Sequence, residues 1–180
     1  TLDVNGTLDI DGTLDANGTI KLDGNYPTGS NNVALGDTAL DSVEATGINN
    51  VAIGAAALTT NTTGDNNVAV GRQALNTSST ASDNTAVGFN AGYSTTSGSR
   101  NIAIGKDALK SNTTASNSVA IGYQALDAST TGTGNIAIGS GTGGTITTGS
   151  YNILSGNQVG DALTEGNSNV AIGDSALSAD

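Results

Sequence analysis

The hexapeptide Asn117-Ser118-Val119-Ala120-Ile121-Gly122 decides the fold, because close variants of it recur throughout residues 31–180. Aligned on the glycine there are nine copies; the first interval is 18 residues and the other seven are 17 each. Such strict spacing indicates that each copy is one structural unit stacked on its neighbours. The aligned glycines are Gly36, Gly54, Gly71, Gly88, Gly105, Gly122, Gly139, Gly156 and Gly173.

Each unit predicts one coil of an all-β solenoid. The Val-Ala-Ile run is short and β-branched, which is typical of a strand, and the glycine ends it with a turn that a Cβ would hinder. An Ala-Leu segment such as Ala108-Leu109 predicts a second short strand, and the Thr- and Asn-rich stretch predicts the return turn. Helix is the alternative for the Ala-Leu segments, but they are too short to form one independently.

Side chains alternate between the faces of a strand, so the aliphatic residues on either side of the central alanine share a face. We expect this column to fill the core of the coil. It comprises Val33, Val51, Val68, Ile102, Val119, Ile136, Ile153 and Val170, with Leu35, Ile53, Val70, Val87, Ile104, Ile121, Ile138 and Ile172.

The central position is alanine in eight of the nine copies, whereas a solvated position would drift towards polar residues. The repeat therefore predicts that this face packs against a second copy of the chain, along an axis of small residues. The column comprises Ala34, Ala52, Ala69, Ala86, Ala103, Ala120, Ala137 and Ala171.

An asparagine column precedes the strands. Asn tolerates the left-handed conformation and bonds its own turn, and stacked amides can form ladders. We therefore expect a turn ladder rather than a ligand site. Its members are Asn32, Asn50, Asn67, Asn84, Asn101, Asn135, Asn152 and Asn169.

The variants NNVALG at Asn31, NNVAIG at Asn49, NNVAVG at Asn66 and SNVAIG at Ser168, with NSVAIG at Asn117, resemble the head repeat of YadA-like trimeric autotransporter adhesins. Similar repeats occur in bacteriophage tail fibres and in other bacterial trimeric fibres. The resemblance covers residues 31–180. It implies a left-handed parallel β-roll with three chains around one axis, located outside the bacterial cell or, alternatively, on a virion tail. It also implies attachment to an unidentified surface receptor, a protein or a glycan, rather than catalysis.

Composition excludes several classes of function. The chain has no Cys and no His, so the usual zinc ligands and Cys or His catalysis are missing. A net charge of −11 argues against nucleic acid as a partner. No apolar run approaches the length of a spanning helix, so we expect no membrane insertion of this segment. The glycine-rich stretch at 141–144 lacks the Lys-Ser/Thr of a phosphate loop. We therefore expect no enzyme and no cofactor.

Residues 1–25 follow a different period, in which Leu2, Leu8, Leu14 and Ile20 are spaced by six. Two structures fit this pattern. One is a hexad β-spiral or β-helix, which we favour because a fibre domain follows; the other is a meander with Asn-Gly and Asp-Gly turns. Residues 26–30 are interpreted as the junction to the repeats at 31–180.

Three surface features invite a binding hypothesis. Asp9, Asp11 and Asp15 could hold calcium, although their spacing does not fit an EF-hand and a solvated acidic face is favoured. Paired Thr/Ser ranks, such as those at Thr113 and Thr114, suggest ice binding, but turn hydroxyls that bond the backbone are favoured. The aromatic residues in variable positions are candidate contacts for a protein or a glycan: Phe89, Tyr93, Tyr123 and Tyr151.

Overall fold

The computed structural model describes residues 30–43 and 46–178, and within them the chain is a parallel β-solenoid of about eight turns. The predicted segment 1–25, and all of the junction except Ser30, lie outside the described residues. One sheet contains nine three-residue strands in sequence order. They are β1 Val33–Leu35, β2 Val51–Ile53, β3 Val68–Val70, β4 Thr85–Val87, β5 Ile102–Ile104, β6 Val119–Ile121, β7 Ile136–Ile138, β8 Ile153–Ser155 and β9 Val170–Ile172.

The register places equivalent residues directly over one another. Ala52 of β2 pairs with Ala69 of β3, and each later strand continues the column at the same position. Because neighbouring strands lie about 4.8 Å apart, the nine strands extend over about 38 Å. A residue type that recurs every 17 positions therefore becomes a straight column along the solenoid.

The prediction of a second strand in each coil is wrong. The Ala-Leu segments form turns, and their leucines take left-handed backbone angles, with φ of 50° at Leu58 and 49° at Leu109. This conformation costs a non-glycine residue about 1–2 kcal/mol. The leucine side chains are buried in every coil except the last, where Leu177 is exposed, and this burial offsets the cost. The tight reversal also explains why glycine replaces leucine at this position in Gly92, Gly143 and Gly160.

The predicted assignment of the two strand faces is also wrong. The alanine column points into the chain's own coil, where all its members except the partly buried Ala34 are buried, so it does not face a partner. The aliphatic column that was expected in the core points outward instead. Its most exposed members range from 36% to 73% relative exposure and are Leu35, Ile53, Val87, Ile102, Ile104, Ile138, Ile153, Val170 and Ile172; its other members are partly buried.

The narrow interior of the coil explains why alanine points inward and the larger aliphatic residues point outward. The interior is filled by the turn leucines, such as Leu75, by alanines such as Ala74, and by the strand alanines. With leucine already supplying the bulk, only a methyl group fits opposite it on the strand. The exception supports this: Leu154 occupies the alanine position of β8, beside Gly143 and Gly160, where a Cβ would lie 3.1 Å from Leu154 Cδ1.

The aligned glycine after each strand is required by close backbone stacking. Gly54 has φ of 129°, and a Cβ built on it would lie 2.6 Å from the carbonyl carbon of Gly71 in the next coil. The same φ region recurs at all nine aligned glycines. A side chain at this position would therefore separate the coils or distort the turn.

Candidate functional site

The outward face of the sheet carries nine of the thirteen large apolar side chains that are exposed among the described residues. We define the outer face as the two residues that flank the central residue of each strand, which gives eighteen positions in nine strands. Sixteen are Val, Ile or Leu, and the exceptions are Thr85 and Ser155. The face is about 38 Å long and about 10 Å wide, or roughly 400 Å², which is the size of the largest apolar patch on a typical monomer, a patch that is often functional.

A polar ladder borders one edge of the outer face. Asn49 Nδ2 donates to Asn66 Oδ1 at 3.2 Å, and Asn66 Nδ2 donates to Asp83 Oδ1 at 3.1 Å. Further along the same edge, Arg100 Nε donates to Asn117 Oδ1 at 2.8 Å. These exposed residues link successive coils and end the apolar surface on this side.

Beneath this edge lies the asparagine column, buried and hydrogen-bonded from coil to coil. Asn84 N donates to Asn67 Oδ1 at 3.0 Å, and Asn84 Nδ2 donates to the Gly98 carbonyl at 3.0 Å. The column thus satisfies backbone groups that water cannot reach. In the one copy without asparagine, Ser118 Oγ accepts from Asn135 N at 3.2 Å.

The paired Thr and Ser residues of the return turns form two adjacent columns, called here the first and second rank, eight and nine residues after the aligned glycines. The first rank is used internally: Thr96 Oγ1 donates to the Thr113 carbonyl, and Thr113 Oγ1 to the Thr130 carbonyl, both at 3.0 Å. The second rank, which includes Thr114 and Thr131, is exposed. The first-rank hydroxyls thus bond the backbone of the next coil, which is the arrangement expected of turn residues.

On the other edge of the outer face, cationic and aromatic residues alternate in one column. The residues directly after four consecutive aligned glycines are Arg72, Phe89, Lys106 and Tyr123, all exposed. Arg72 Cζ lies 5.5 Å from the ring centroid of Phe89, and Lys106 Nζ lies 5.5 Å from that of Tyr123. Both distances are within the range of cation–π attraction.

A second pair of residues widens this surface. Tyr93 and Lys110 occupy equivalent positions in successive coils, four residues beyond Phe89 and Lys106. Lys106 Nζ and Lys110 Nζ lie 3.9 Å and 3.8 Å from the two carboxylate oxygens of Asp107, which is buried between them. We call these residues the basic-aromatic patch: Arg72, Phe89, Tyr93, Lys106, Lys110 and Tyr123.

Two further groups lie near the patch. Asn90 Nδ2 donates to Asp107 Oδ1 at 3.0 Å, which helps to hold that carboxylate in place. Desolvation by burial raises the pKa of Asp127, against the lowering effects of the Ala128 backbone N–H and of Lys110. Asp107 therefore pairs with both ammonium groups, while Asp127 lies one coil further along from Lys110.

The four aromatic residues predicted as contacts are not all in one place. Phe89 and Tyr123 are 36% and 48% exposed and lie in one column, with the half-buried Tyr93 close by. Tyr151 is 66% exposed but lies on the opposite edge, next to Gly134. The sequence analysis singled out the rings but not Arg72 and Lys106, which fall in the same column of the aligned repeat and contact the rings only once the coils are stacked.

Residues 30–43 and 46–178 meet neither the requirements of a metal site nor those of a membrane-spanning helix. Within 30–43 and 46–178, no group of three or more acidic, His or Cys side chains is arranged to hold a metal ion. The proposed calcium ligands Asp9, Asp11 and Asp15 lie outside the described residues. That described part also contains no helix long and apolar enough to cross a membrane.

The chain matches no protein-family model, no curated protein and no solved structure. The fold alone defines the class of this protein as a parallel β-solenoid. Its function is inferred from the surface of the solenoid and from the repeat.

Proposed function

We propose that this chain is a structural and adhesive segment of an extracellular bacterial fibre. In this proposal three copies pack through their outer faces into a homotrimeric left-handed β-roll, and the rest of the surface is displayed to an attachment partner. The observation that carries it is the outer face, where sixteen of eighteen outward positions are aliphatic.

Strand propensity alone does not account for this face. Thr is as suitable as Val for an exposed strand position, yet the only outward Thr is Thr85. A solvated face would lose aliphatic residues over nine coils, whereas this face keeps them at every level. Covering it removes from water the apolar area that a lone solenoid exposes.

The repeat favours another copy of the same chain as the cover. The apolar positions recur at the coil spacing of about 4.8 Å, so a matching partner needs the same spacing along the same axis. In a closed ring of three chains, the rotation then repeats one heterologous interface three times, so every chain makes the same two contacts. The number three and the left-handed coil come from the resemblance to the trimeric head repeats.

The charge of the chain fits an exposed fibre. Each copy carries a net charge of −11, so three carry −33, which favours solubility and opposes sideways aggregation of assembled fibres. Threefold repetition would also multiply a weak contact on each chain into a strong attachment. A bacteriophage tail fibre is the alternative setting for the same architecture.

Glutamates on the outer face test the proposal. The double variant Ile104→Glu/Ile138→Glu changes two outward residues of β5 and β7, and we expect it to sediment as a monomer that keeps its β-type circular dichroism. The control, Thr114→Glu/Thr131→Glu, adds the same charge at exposed positions away from the strands and should keep the mass of the parent chain. An unchanged mass for the Ile104/Ile138 variant would overturn the proposal.

A further inference from the structure

We infer that the basic-aromatic patch binds an anionic polysaccharide, carboxylated or sulfated, laid along the axis of the solenoid. This inference rests on the proposed role of the chain in attachment and names the class of receptor for it. It concerns residues within one chain.

The distribution of charge sets the patch apart. The chain has sixteen acidic and only five basic residues. Four of the five cations fall within the described residues, and three of these four, Arg72, Lys106 and Lys110, belong to the patch. On an acidic surface, this concentration of positive charge gives an anionic ligand one place to bind.

The cations are held in position before any ligand arrives. The ring of Phe89 supports Arg72, the ring of Tyr123 supports Lys106, and the carboxylate of Asp107 fixes the ammonium groups of Lys106 and Lys110. Long basic side chains normally lose conformational freedom on binding, and this prior ordering reduces that loss. All three cations remain exposed to solvent.

The patch is linear, which favours a polymer with regular charges. Arg72 and Lys106 are two coils apart in one column, or about 10 Å along the axis, which is comparable to the length of a disaccharide. Sugars carry C–H groups that contact aromatic rings and charged substituents that accept charge-assisted hydrogen bonds. The alternation of cations with the exposed rims of Phe89 and Tyr123 offers both kinds of contact in turn.

The acidic residues elsewhere on the fibre do not prevent this contact at physiological ionic strength. Charges separated by more than the Debye length of about 8 Å are largely screened. At shorter range Asp107 and Asp127 oppose the three cations of the patch, and three positive charges against two negative ones leave it net positive. We expect binding to weaken as salt rises, because the polysaccharide releases condensed counterions when it is bound.

Binding of heparin, as a sulfated probe, and of hyaluronan, as a carboxylated one, tests the inference at 0.15 M salt by biolayer interferometry. We expect one or both to bind and neutral dextran not to bind. Arg72→Gln/Lys106→Gln should weaken the interaction about tenfold, and Phe89→Ala/Tyr123→Ala should also weaken it although every charge is kept. Arg100→Gln removes a cation on the opposite edge and should change affinity less than about twofold.

Three results would overturn the inference: no binding of either anionic polysaccharide, equal loss with Arg100→Gln and with Arg72→Gln/Lys106→Gln, or polyglutamate binding as tight as the better polysaccharide. The last result would identify a general site for acidic chains, including acidic peptides. Mass measured on the same samples separates this inference from the proposed function. A trimer that binds no polysaccharide overturns only the ligand, and a monomer that binds one overturns only the assembly.

Discussion

Asn67 donates to Asn50 Oδ1 twice, from its backbone N–H at 2.9 Å and from its side-chain Nδ2 at 3.2 Å. The same Nδ2 donates to the Ala81 carbonyl at 2.8 Å, and Asn67 Oδ1 accepts from Asn84 N at 3.0 Å. One buried side chain thus connects three successive coils.

Removing this side chain should destabilise the solenoid. Asn67→Ala leaves the Asn84 N–H and the Ala81 carbonyl buried without these partners, and we expect a loss of about 2–5 kcal/mol in the free energy of unfolding. Urea denaturation at a fixed protein concentration measures it. The matched control is Asn67→Ser, because Ser118 accepts the equivalent N–H elsewhere in the column; it should lose less. Equal stability of Asn67→Ala and the parent chain would contradict this account of the ladder.

Alanine substitutions at two aligned glycines can distinguish the cost of backbone strain from the cost of a steric clash. A Cβ on Gly88 would lie 2.6 Å from the Gly105 carbonyl oxygen, whereas a Cβ on Gly173, in the last coil, has nothing within 4 Å. Both residues have φ near 130°. We expect Gly173→Ala to cost about 1–3 kcal/mol from strain alone and Gly88→Ala to cost clearly more. Thermal melting followed by circular dichroism compares them, and equal melting temperatures would show that the clash is relieved.

Leu154 is expected to compensate for two glycines. Leu154→Ala restores the residue found in the other strands but leaves a cavity beside Gly143 and Gly160, and we expect a loss of about 2–5 kcal/mol. Adding Gly143→Leu, at a position where most coils have leucine, should recover part of this loss. A double-mutant cycle measures the coupling; independent effects of the two substitutions would contradict the proposed exchange of volume.

Replacing the carboxyl group of Asp127 with an amide should stabilise the folded state in a pH-dependent way. Burial raises the pKa of this group above its ordinary value of 3.8, so the folded state disfavours the ionised form. The resulting loss of stability is present above the raised pKa and disappears below 3.8, where the group is protonated in both states. Asp127→Asn should therefore raise the melting temperature at pH 7, and the gain should vanish in acid. Asp161→Asn, at the exposed equivalent position, is the control and should give a smaller gain.

The period could be read from the sequence because the backbone itself imposes it. The aligned glycines from Gly36 to Gly156 pack against the backbone of the next coil, so glycine recurs at each of these positions, at a spacing of 17 residues after the first interval of 18. The solenoid and its nine strands follow from that column. The second strand was wrongly predicted because left-handed turns usually contain Gly or Asn. Here the left-handed position holds a buried leucine, such as Leu75, and leucine does not signal a turn in the sequence.

The two faces of each strand could not be distinguished from alternation alone. Alternation separates Ala103 from Ile102 and Ile104 but does not say which side is inside. We expected the larger side chains inside, whereas Leu109 and its equivalents already fill the interior. The basic-aromatic patch depends on neighbours in adjacent coils, and those contacts become visible only when the coils are stacked in the correct register.

The mass of the chain in solution tests the central claim of outer-face assembly most directly. One copy has a mass of 17.5 kDa, so a trimer should sediment at about 52 kDa in analytical ultracentrifugation at micromolar concentration. We predict that mass, with no free monomer at concentrations well above the dissociation constant. A single species at 17.5 kDa would show that the outer face stays exposed and would contradict the account.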